Sequence, residues 1–298
     1  MEIKIATAIF EAITPVRIPK LATLMLRGVV GEKLKLLTCR YRTNILSGKC
    51  HLCSYIKTCP YGYLYEQGQD PIRINSALTP PPRPYVFEPL EKEDYMPGEE
   101  LKVNIKIATK YNWADKFIEH AFSSIDELGK DKNRGFGKIK FKDIKWDKKE
   151  VKPLESLQDR VRVEFKTPTA LYREKALLLS PSLYDILIFS ARRFFLIYST
   201  YYDKNYKYKF HNLVKVKDKA YVHATKTKAE QIERWSNRRK MRENITGILG
   251  SITYSLNKID DKDLRKDIRF LLGFANEMNV GKRACAGLGK VKITSYSA

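Results

Sequence analysis

The sequence predicts an α+β protein made of two similar halves, each with the element order β-α-β-β-α-β. Two decapeptides support the duplication: residues 129–138 read GKDKNRGFGK, and residues 281–290 read GKRACAGLGK. Both contain glycine-lysine, four variable residues, and then glycine, an apolar residue, glycine and lysine. They lie about half of the 298-residue chain apart. The apolar periodicity around each copy favours the same division.

The elements of the first half follow from that periodicity. Residues 3–13 alternate as a strand that ends near Pro15, and residues 20–37 form an apolar, helix-like stretch. Residues 101–107 alternate as a further strand, and residues 113–128 place apolar side chains at helical spacing. The first decapeptide should then be a glycine-rich loop between a helix and a strand.

The second half repeats this order. Residues 161–165 alternate as a strand, and Pro168 breaks the run. Ser182 follows a proline and is expected to cap a long helix that reaches Tyr198. Residues 245–254 alternate again, and an amphipathic helix leads into the second decapeptide.

Both halves are compatible with the ferredoxin-like βαββαβ unit. We therefore expect an N-terminal ferredoxin-like domain over residues 1–150 and a C-terminal one over residues 151–298 with its glycine-rich loop at 281–290. A single larger α+β domain with unrelated glycine loops is the alternative.

The first half also carries a cysteine-rich insertion at about residues 39–66. Four thiols in so short a segment suit a tetrahedral structural zinc ion, which would order the loop without taking part in catalysis. An iron–sulfur cluster and a disulfide remain alternatives. The expected ligands are Cys39, Cys50, Cys53 and Cys59.

The charge balance indicates a polyanionic partner. Lys and Arg number 56 against 34 Asp and Glu, a net charge of +22, and binding a polyanion would relieve the self-repulsion. An anionic membrane surface, or a lysine-rich thermophile surface that serves only solubility, would also fit. The chain has no run of 18 apolar residues and no signal-peptide pattern at its start, so we expect a cytoplasmic protein without a membrane span.

The second glycine-rich loop is the first candidate for RNA contact. Its glycines follow a helix and precede a strand, the reverse of the order in nucleotide-binding loops, so triphosphate or dinucleotide binding is disfavoured. Glycine lets backbone N–H groups approach phosphate oxygens closely, while the cations neutralise charge. For the first copy we expect a structural role. The candidates in the second copy are Gly281, Lys282, Arg283, Gly287, Gly289 and Lys290.

A second candidate for RNA contact is the segment 234–242, which places five cations around one indole. Arginine and aromatic planes stack on unpaired bases, and small polar side chains reach base edges or phosphates. A solvated helix face is the alternative. The residues expected to contact RNA are Trp235, Ser236, Arg238 and Arg239.

Taken in order, these motifs resemble the CRISPR repeat-processing endoribonucleases of the RAMP superfamily, in the subgroup with a cysteine-rich insertion. The resemblance rests on LRGVVG at 26–31, the cysteine cluster followed by PYGYLYE at 60–66, the two decapeptides, and WSNR at 235–238. It implies tandem ferredoxin-like folds and RNA bound along a cleft, and Arg27 is then expected to contact the RNA. It further implies antiviral defence through metal-independent cleavage within CRISPR repeats by attack of the ribose 2′-hydroxyl.

The sequence departs from the family pattern at Glu32, where related chains often carry histidine. We expect Lys33 and Arg40 to stabilise charge and His120 to be the remaining titratable candidate. The departure keeps open a non-catalytic RAMP-type subunit that binds RNA within a CRISPR effector complex. A zinc-stabilised RNA-binding protein outside CRISPR systems is a third hypothesis. The expected partners are CRISPR repeat RNA and possible other effector subunits, with the chain a monomer or a homodimer.

Overall fold

The computed structural model of the chain describes residues 1–19, 21–40, 50–66, 68–74, 77–131, 135–236 and 241–297. These residues form two compact units. The first comprises residues 1–150 and 200–202, and the second comprises residues 151–199 and 203–298.

The first unit is built around one antiparallel sheet. The strands of the unit are β1 (Glu2–Ala12), β2 (Val16–Arg17), β3 (Ile72–Ile74), β4 (Ala77–Thr79), β5 (Tyr85–Phe87), β6 (Asp94–Tyr95), β7 (Glu100–Ile107), β8 (Glu127–Asp131) and β9 (Gly135–Glu150), of which β2 pairs with β6 and β3 with β4 outside the main sheet. Its helices are α1 (Ala22–Thr38), α2 (Pro60–Tyr65) and α3 (Asp115–Ser123). The sheet order is β5-β7-β1-β9-β8, with β1 between β7 and β9.

The core of the first unit lies between this sheet and helices α1 and α3. Leu26 and Leu34 of α1 are fully buried, as is Phe122 of α3. The ring of Phe10 on β1 lies 6.4 Å from that of Phe122. Because an amphipathic helix buries its apolar stripe against a sheet, this layer follows from the periodicity of the sequence.

The second unit repeats the plan. Its strands are β10 (Arg160–Thr169), β11 (Tyr172–Arg173), β12 (Ala176–Leu177), β13 (Tyr221–Ser236), β14 (Met241–Ser255) and β15 (Val291–Tyr296), and its helices are α4 (Leu183–Tyr201), α5 (Val216–Lys219) and α6 (Lys262–Met278). The sheet order is β13-β14-β10-β15. Helices α4 and α6 pack together through Phe194 and Phe274, whose ring centroids are 5.4 Å apart.

Both sheets have the strand order of a ferredoxin-like unit, in which the first strand lies between the third and the fourth. In the first unit Thr7 of β1 pairs with Asn104 of β7 and Lys145 of β9. In the second, Val163 of β10 pairs with Ile252 of β14 and Ile293 of β15. The predicted α+β fold with tandem ferredoxin-like halves is confirmed.

The first decapeptide differs from its prediction. It forms part of the β8–β9 hairpin rather than a loop between a helix and a strand. Helix α3 ends early, at Ser123, and the hydroxyls of Ser123 and Ser124 donate to the carbonyl of His120 at 3.1 and 2.6 Å. Serine side chains compete with helical hydrogen bonding in this way. A Cβ on Gly129, which has φ +77°, would lie 2.3 Å from the carbonyl oxygen of Arg17, so this glycine lets the hairpin approach β2.

No helix in the described part of the chain is long and apolar enough to cross a membrane.

Candidate nucleic-acid interface

The second glycine-rich loop connects α6 to β15 and is shaped by left-handed backbone. Asn279 leaves α6 with φ +60°, and its Nδ2–H group donates to the carbonyl of Leu288 at 3.0 Å. Gly281, Gly287 and Gly289 have φ values of +89°, +78° and +69°. A Cβ on Gly289 would lie 1.8 Å from the carbonyl oxygen of Val280. Only glycine fits this position, because it combines a left-handed φ with direct backbone contact.

The backbone of the loop is largely used to fold it. The N–H of Val280 donates to Gly289 at 2.9 Å, that of Gly287 to Ala284 at 3.0 Å, and that of Gly289 to Pro168 at 3.1 Å. Residues 284–289 are buried. The sequence favoured phosphate contact through backbone N–H groups, but those of Gly287 and Gly289 already have carbonyl partners within the unit. The accessible part of the loop is residues 281–283 together with Lys290.

The accessible loop residues present cations. Lys282 is exposed, and its Nζ lies 5.4 Å from the ring centroid of Tyr172. The guanidinium of Arg283 donates to Glu243 at 3.1 Å. Lys290 is half-buried, and its backbone N–H donates to the hydroxyl of Thr167 at 2.9 Å. Positioned cations of this kind supply the phosphate-binding part of a nucleic-acid interface.

The predicted aromatic and basic segment lies at the end of a hairpin. Strand β14 pairs with β10 only from Ile248 onward, so residues 241–247 pair with β13 alone. We call residues 230–236 and 241–247 the hairpin arm; seven strand residues extend about 23 Å. In the arm Trp235 is opposite Arg242. Trp235 and Ser236 are described in backbone only, and Arg238 and Arg239 lie outside the described residues.

The structure brings the loop and the hairpin arm together within the second unit. Glu243, which accepts the hydrogen bond from Arg283, is opposite Arg234 on the neighbouring strand. Arg234 directly precedes Trp235. The contact between Arg283 and Glu243, which are 40 positions apart in sequence, therefore joins the glycine-rich loop to the hairpin arm.

The predicted catalytic residues all lie in the first unit. Lys33 is on α1, and its ammonium lies 3.6 Å from the exposed carboxylate of Asp126. Arg40 follows α1 and is exposed, with its guanidinium 5.1 Å from the ring centroid of Tyr55. His120 is exposed on α3, which packs against α1. Its Nδ1 is 2.7 Å from the carbonyl oxygen of Lys116. A carbonyl only accepts, so Nδ1 carries a proton and Nε2 can accept one when the ring is neutral.

Arg27 lies on the face of α1 that meets α2. Its guanidinium is 5.8 Å from the ring centroid of Tyr65. A Cβ added to the neighbouring Gly31 would lie only 2.6 Å from a carbon of that same ring. Glycine at 31 therefore lets Tyr65 pack flat against α1, and Arg27 extends over it. This contact assigns part of the LRGVVG motif to packing in the first unit.

The predicted four-cysteine zinc site does not form among the described residues. Within them no group of three or more His, Cys, Asp or Glu side chains is arranged to hold a metal ion. The thiol of Cys59 donates to the hydroxyl of Thr38 at 3.7 Å, and burial raises the pKa of the Cys50 thiol. The structure also contains no disulfide among the four thiols of Cys39, Cys50, Cys53 and Cys59.

Sequence reasoning assigned no role to three residues that shape this surface. Asn279 closes the loop, Glu243 joins it to the arm, and Tyr172 lies beside Lys282. A polar residue directly after the amphipathic pattern of α6 was a usable signal for Asn279. Glu243 and Tyr172 are far from the loop in sequence, so periodicity could not place them there.

Comparison with known proteins relates each half of the chain to a protein family. Residues 163–291, which include the loop and the arm, match the family of the CRISPR-associated endoribonuclease Cas6. Residues 1–164 match the family AF_1859_N, described as an N-terminal domain. No curated protein matches the chain by sequence.

Solved structures of Cas6 share the fold over nearly the whole length. A Cas6 product complex is 11% identical, with a TM-score of 0.57 and coverage of 98% of this chain and 100% of the other. Thermus thermophilus Cas6 is 10% identical, with a TM-score of 0.56 and 98% coverage of both chains. A further Cas6 product complex is 11% identical, with a TM-score of 0.53 and coverage of 99% and 100%.

The chain thus combines two ferredoxin-like units, the second of which ends in a glycine-rich loop and a strand. The Cas6 match spans the whole of that loop. The AF_1859_N match covers more than half of the chain, so the chain belongs to that family, and its second unit matches the family of the CRISPR-associated endoribonuclease Cas6. Membership of the cysteine-rich subgroup stays a prediction.

Proposed function

We propose that the chain is a metal-independent endoribonuclease that cleaves CRISPR precursor RNA within its repeats. The observation that carries the proposal is the surface of the second unit where the glycine-rich loop meets the hairpin arm, called here the joined surface. Arg283 connects the glycine-rich loop to the hairpin arm, and both lie inside the segment that matches the Cas6 family. The net charge of +22 favours a long polyanion over a small substrate.

The reaction uses a nucleophile that the RNA itself carries. A base takes the proton of a ribose 2′-hydroxyl, whose oxygen attacks the adjacent phosphorus. The bond from phosphorus to the 5′-oxygen breaks, and an acid protonates that oxygen. The products are a 2′,3′-cyclic phosphate and a 5′-hydroxyl. The protein must therefore align the strand, transfer two protons and place cations near the phosphorane, none of which requires a metal ion.

We assign the proton transfer to His120 and the charge stabilisation to Lys33 and Arg40. The hydrogen bond from Nδ1 to the carbonyl of Lys116 fixes the imidazole and leaves Nε2 to act on the substrate. The ion pair of Lys33 with Asp126 is partly exposed, at 31% and 82% of the two side chains. Exposed pairs are worth little, so a phosphate can displace the carboxylate.

The test is incubation of the purified chain with labelled CRISPR repeat RNA in EDTA. We expect one cut, a 2′,3′-cyclic phosphate at the new end, and complete loss of cleavage when the ribose at the cut carries a single 2′-deoxy substitution. RNA bound intact would support the non-catalytic RAMP subunit instead. A requirement for a divalent ion would contradict the mechanism.

A further inference from the structure

An exposed tyrosine beside the glycine-rich loop has no part in the proposed reaction. Tyr172 begins the short hairpin formed by β11 and β12, and 36% of it is exposed. The Nζ of Lys282 lies 5.4 Å from its ring centroid. An accessible aromatic ring with an ammonium beside it provides two features that one nucleotide needs: a plane for the base and a charge for the phosphate.

The backbone on the N-terminal side of Tyr172 is fixed to the loop. The N–H of Lys282 donates to the carbonyl of Ala170 at 2.9 Å. A Cβ on Gly281 would lie 2.7 Å from that same oxygen, so the two segments touch backbone to backbone. Leu171 is fully buried between them and the core. Tyr172 and Lys282 are therefore held side by side by the fold.

The C-terminal side of Tyr172 is fixed to helix α4. Arg173 forms an ion pair with the buried carboxylate of Asp185. The other oxygen of Asp185 accepts the N–H of Ser182 at 2.9 Å at the start of α4. The turn of the hairpin places Glu174 and Lys175 at φ +48° and +70°, where residues other than glycine are uncommon. Left-handed backbone at such residues persists only where the surroundings determine it.

We propose that Tyr172 and Lys282 form a subsite for one unpaired nucleotide of the bound RNA. The base stacks on the ring of Tyr172, and the ammonium of Lys282 pairs with the adjacent phosphate. The subsite extends the loop surface and rests on the proposed function, since RNA is its ligand. Because the backbones of both residues are already held in place, no backbone ordering is needed when the nucleotide binds.

The test compares full-length variants by fluorescence anisotropy with labelled oligoadenylate and oligouridylate. Both Tyr172→Ala and Tyr172→Leu remove the stacking surface, so we expect each to weaken oligoadenylate binding by about tenfold. Adenine has the larger stacking surface, so oligouridylate should lose less. Tyr172→Phe keeps the ring and should stay within about twofold of the wild type.

Tyr296→Ala is the matched control, since Tyr296 is 39% exposed and lies at the far end of β15. We expect it to bind both RNAs as the wild type does. The leucine variant keeps apolar bulk, so a general loss of folding, checked by thermal unfolding, would appear in the alanine variant first.

Alanine and leucine variants that bind both RNAs as tightly as the wild type would overturn the subsite. That result together with normal repeat cleavage would leave the proposed function intact. Selective loss of oligoadenylate binding in a chain that never cleaves repeat RNA would support the subsite and refute the nuclease.

Discussion

At the level of single residues, the structure separates glycines that are required from those that are only tolerated. Gly289 has φ +69°, and a Cβ at this residue would lie 1.8 Å from the carbonyl oxygen of Val280. Gly98 has φ +87°, but a Cβ there would meet nothing within 4 Å. The sequence pattern revealed that the loop glycines matter, but it suggested phosphate approach as the reason. Close backbone packing is the reason that the structure gives.

The first prediction follows from this difference. Gly289→Ala should lower the free energy of unfolding by about 3 kcal/mol, because left-handed strain and overpacking add. Gly98→Ala, with strain alone, should cost about 1 kcal/mol. Urea unfolding followed by circular dichroism measures both. Equal losses in the two variants would show that contact with Val280 does not matter.

The second prediction concerns His120. If its imidazole transfers a proton, His120→Ala should slow repeat cleavage by at least about 100-fold without weakening RNA binding. His211 is the matched control, because it is also exposed and one of its ring nitrogens contacts a backbone carbonyl. In His211 this nitrogen is Nε2, which lies 3.1 Å from the carbonyl oxygen of Tyr208. His211→Ala should cleave normally. Wild-type cleavage by His120→Ala would remove the residue from the mechanism.

At the level of elements, the spacing of apolar residues predicted most of the strands and helices. Ser182 was expected to cap α4, and the structure confirms it. The N–H of Asp185 donates to the Ser182 hydroxyl at 3.2 Å, and the N–H of Ser182 donates back to the Asp185 carboxylate at 2.9 Å. This is a reciprocal capping arrangement. Local sequence determines such a cap, so sequence reasoning finds it.

The elements that sequence reasoning misplaced depend on distant contacts. The β8–β9 hairpin forms where a helix, loop and strand were expected, because Gly129 and Gly137 allow contact with β2, more than 100 positions earlier. The cysteine segment likewise suggested a metal site by spacing alone. Spacing does not determine where the side chains point, and the thiol of Cys59 meets Thr38 instead.

Helix α2 gives a prediction about alkaline stability. Burial raises the pKa of Tyr63 to about 12, against about 10 in an unfolded chain. The folded state therefore holds the phenolic proton more tightly, and the stability that results is complete below pH 10 and is lost as the pH rises through about 12.

Tyr63→Phe should consequently flatten the fall of the unfolding free energy across this alkaline range. The hydroxyl of Thr109, which bonds to Tyr63 at 2.7 Å, also accepts the N–H of Tyr111 at 3.2 Å, so the variant leaves it with a partner. Urea titrations at stepped pH measure the slope. Tyr296→Phe, at an exposed tyrosine, should keep the wild-type slope, and an unchanged slope in Tyr63→Phe would contradict the prediction.

At the level of the whole molecule, the duplication was predictable because each half carries its own periodicity and glycine pattern. The joined surface of the second unit was not. It depends on Arg283 reaching Glu243, about 40 positions away, and no local pattern encodes that contact. Composition indicated a polyanion but could not say which of the 56 basic side chains would contact it.

The excess charge predicts strongly salt-dependent RNA binding. Each phosphate neutralised on a single strand contributes about 0.7 to the slope of log Kd against log salt. Lys290→Ala should lower that slope by about 0.7. Lys262 is the control, because it begins α6, whose 17 residues place it about 25 Å from the loop. An identical decrease in both variants would mean that RNA binds by diffuse charge and not at the loop.

Strand β13 forms one edge of its sheet. A long edge offers unsatisfied hydrogen-bonding groups to any other strand, and two such edges can join molecules into aggregates. Lys226 and Lys228 are both exposed along this strand. If two copies aligned edge to edge, these ammonium groups would repel, so the lysines of β13 disfavour the joining of sheets at this edge.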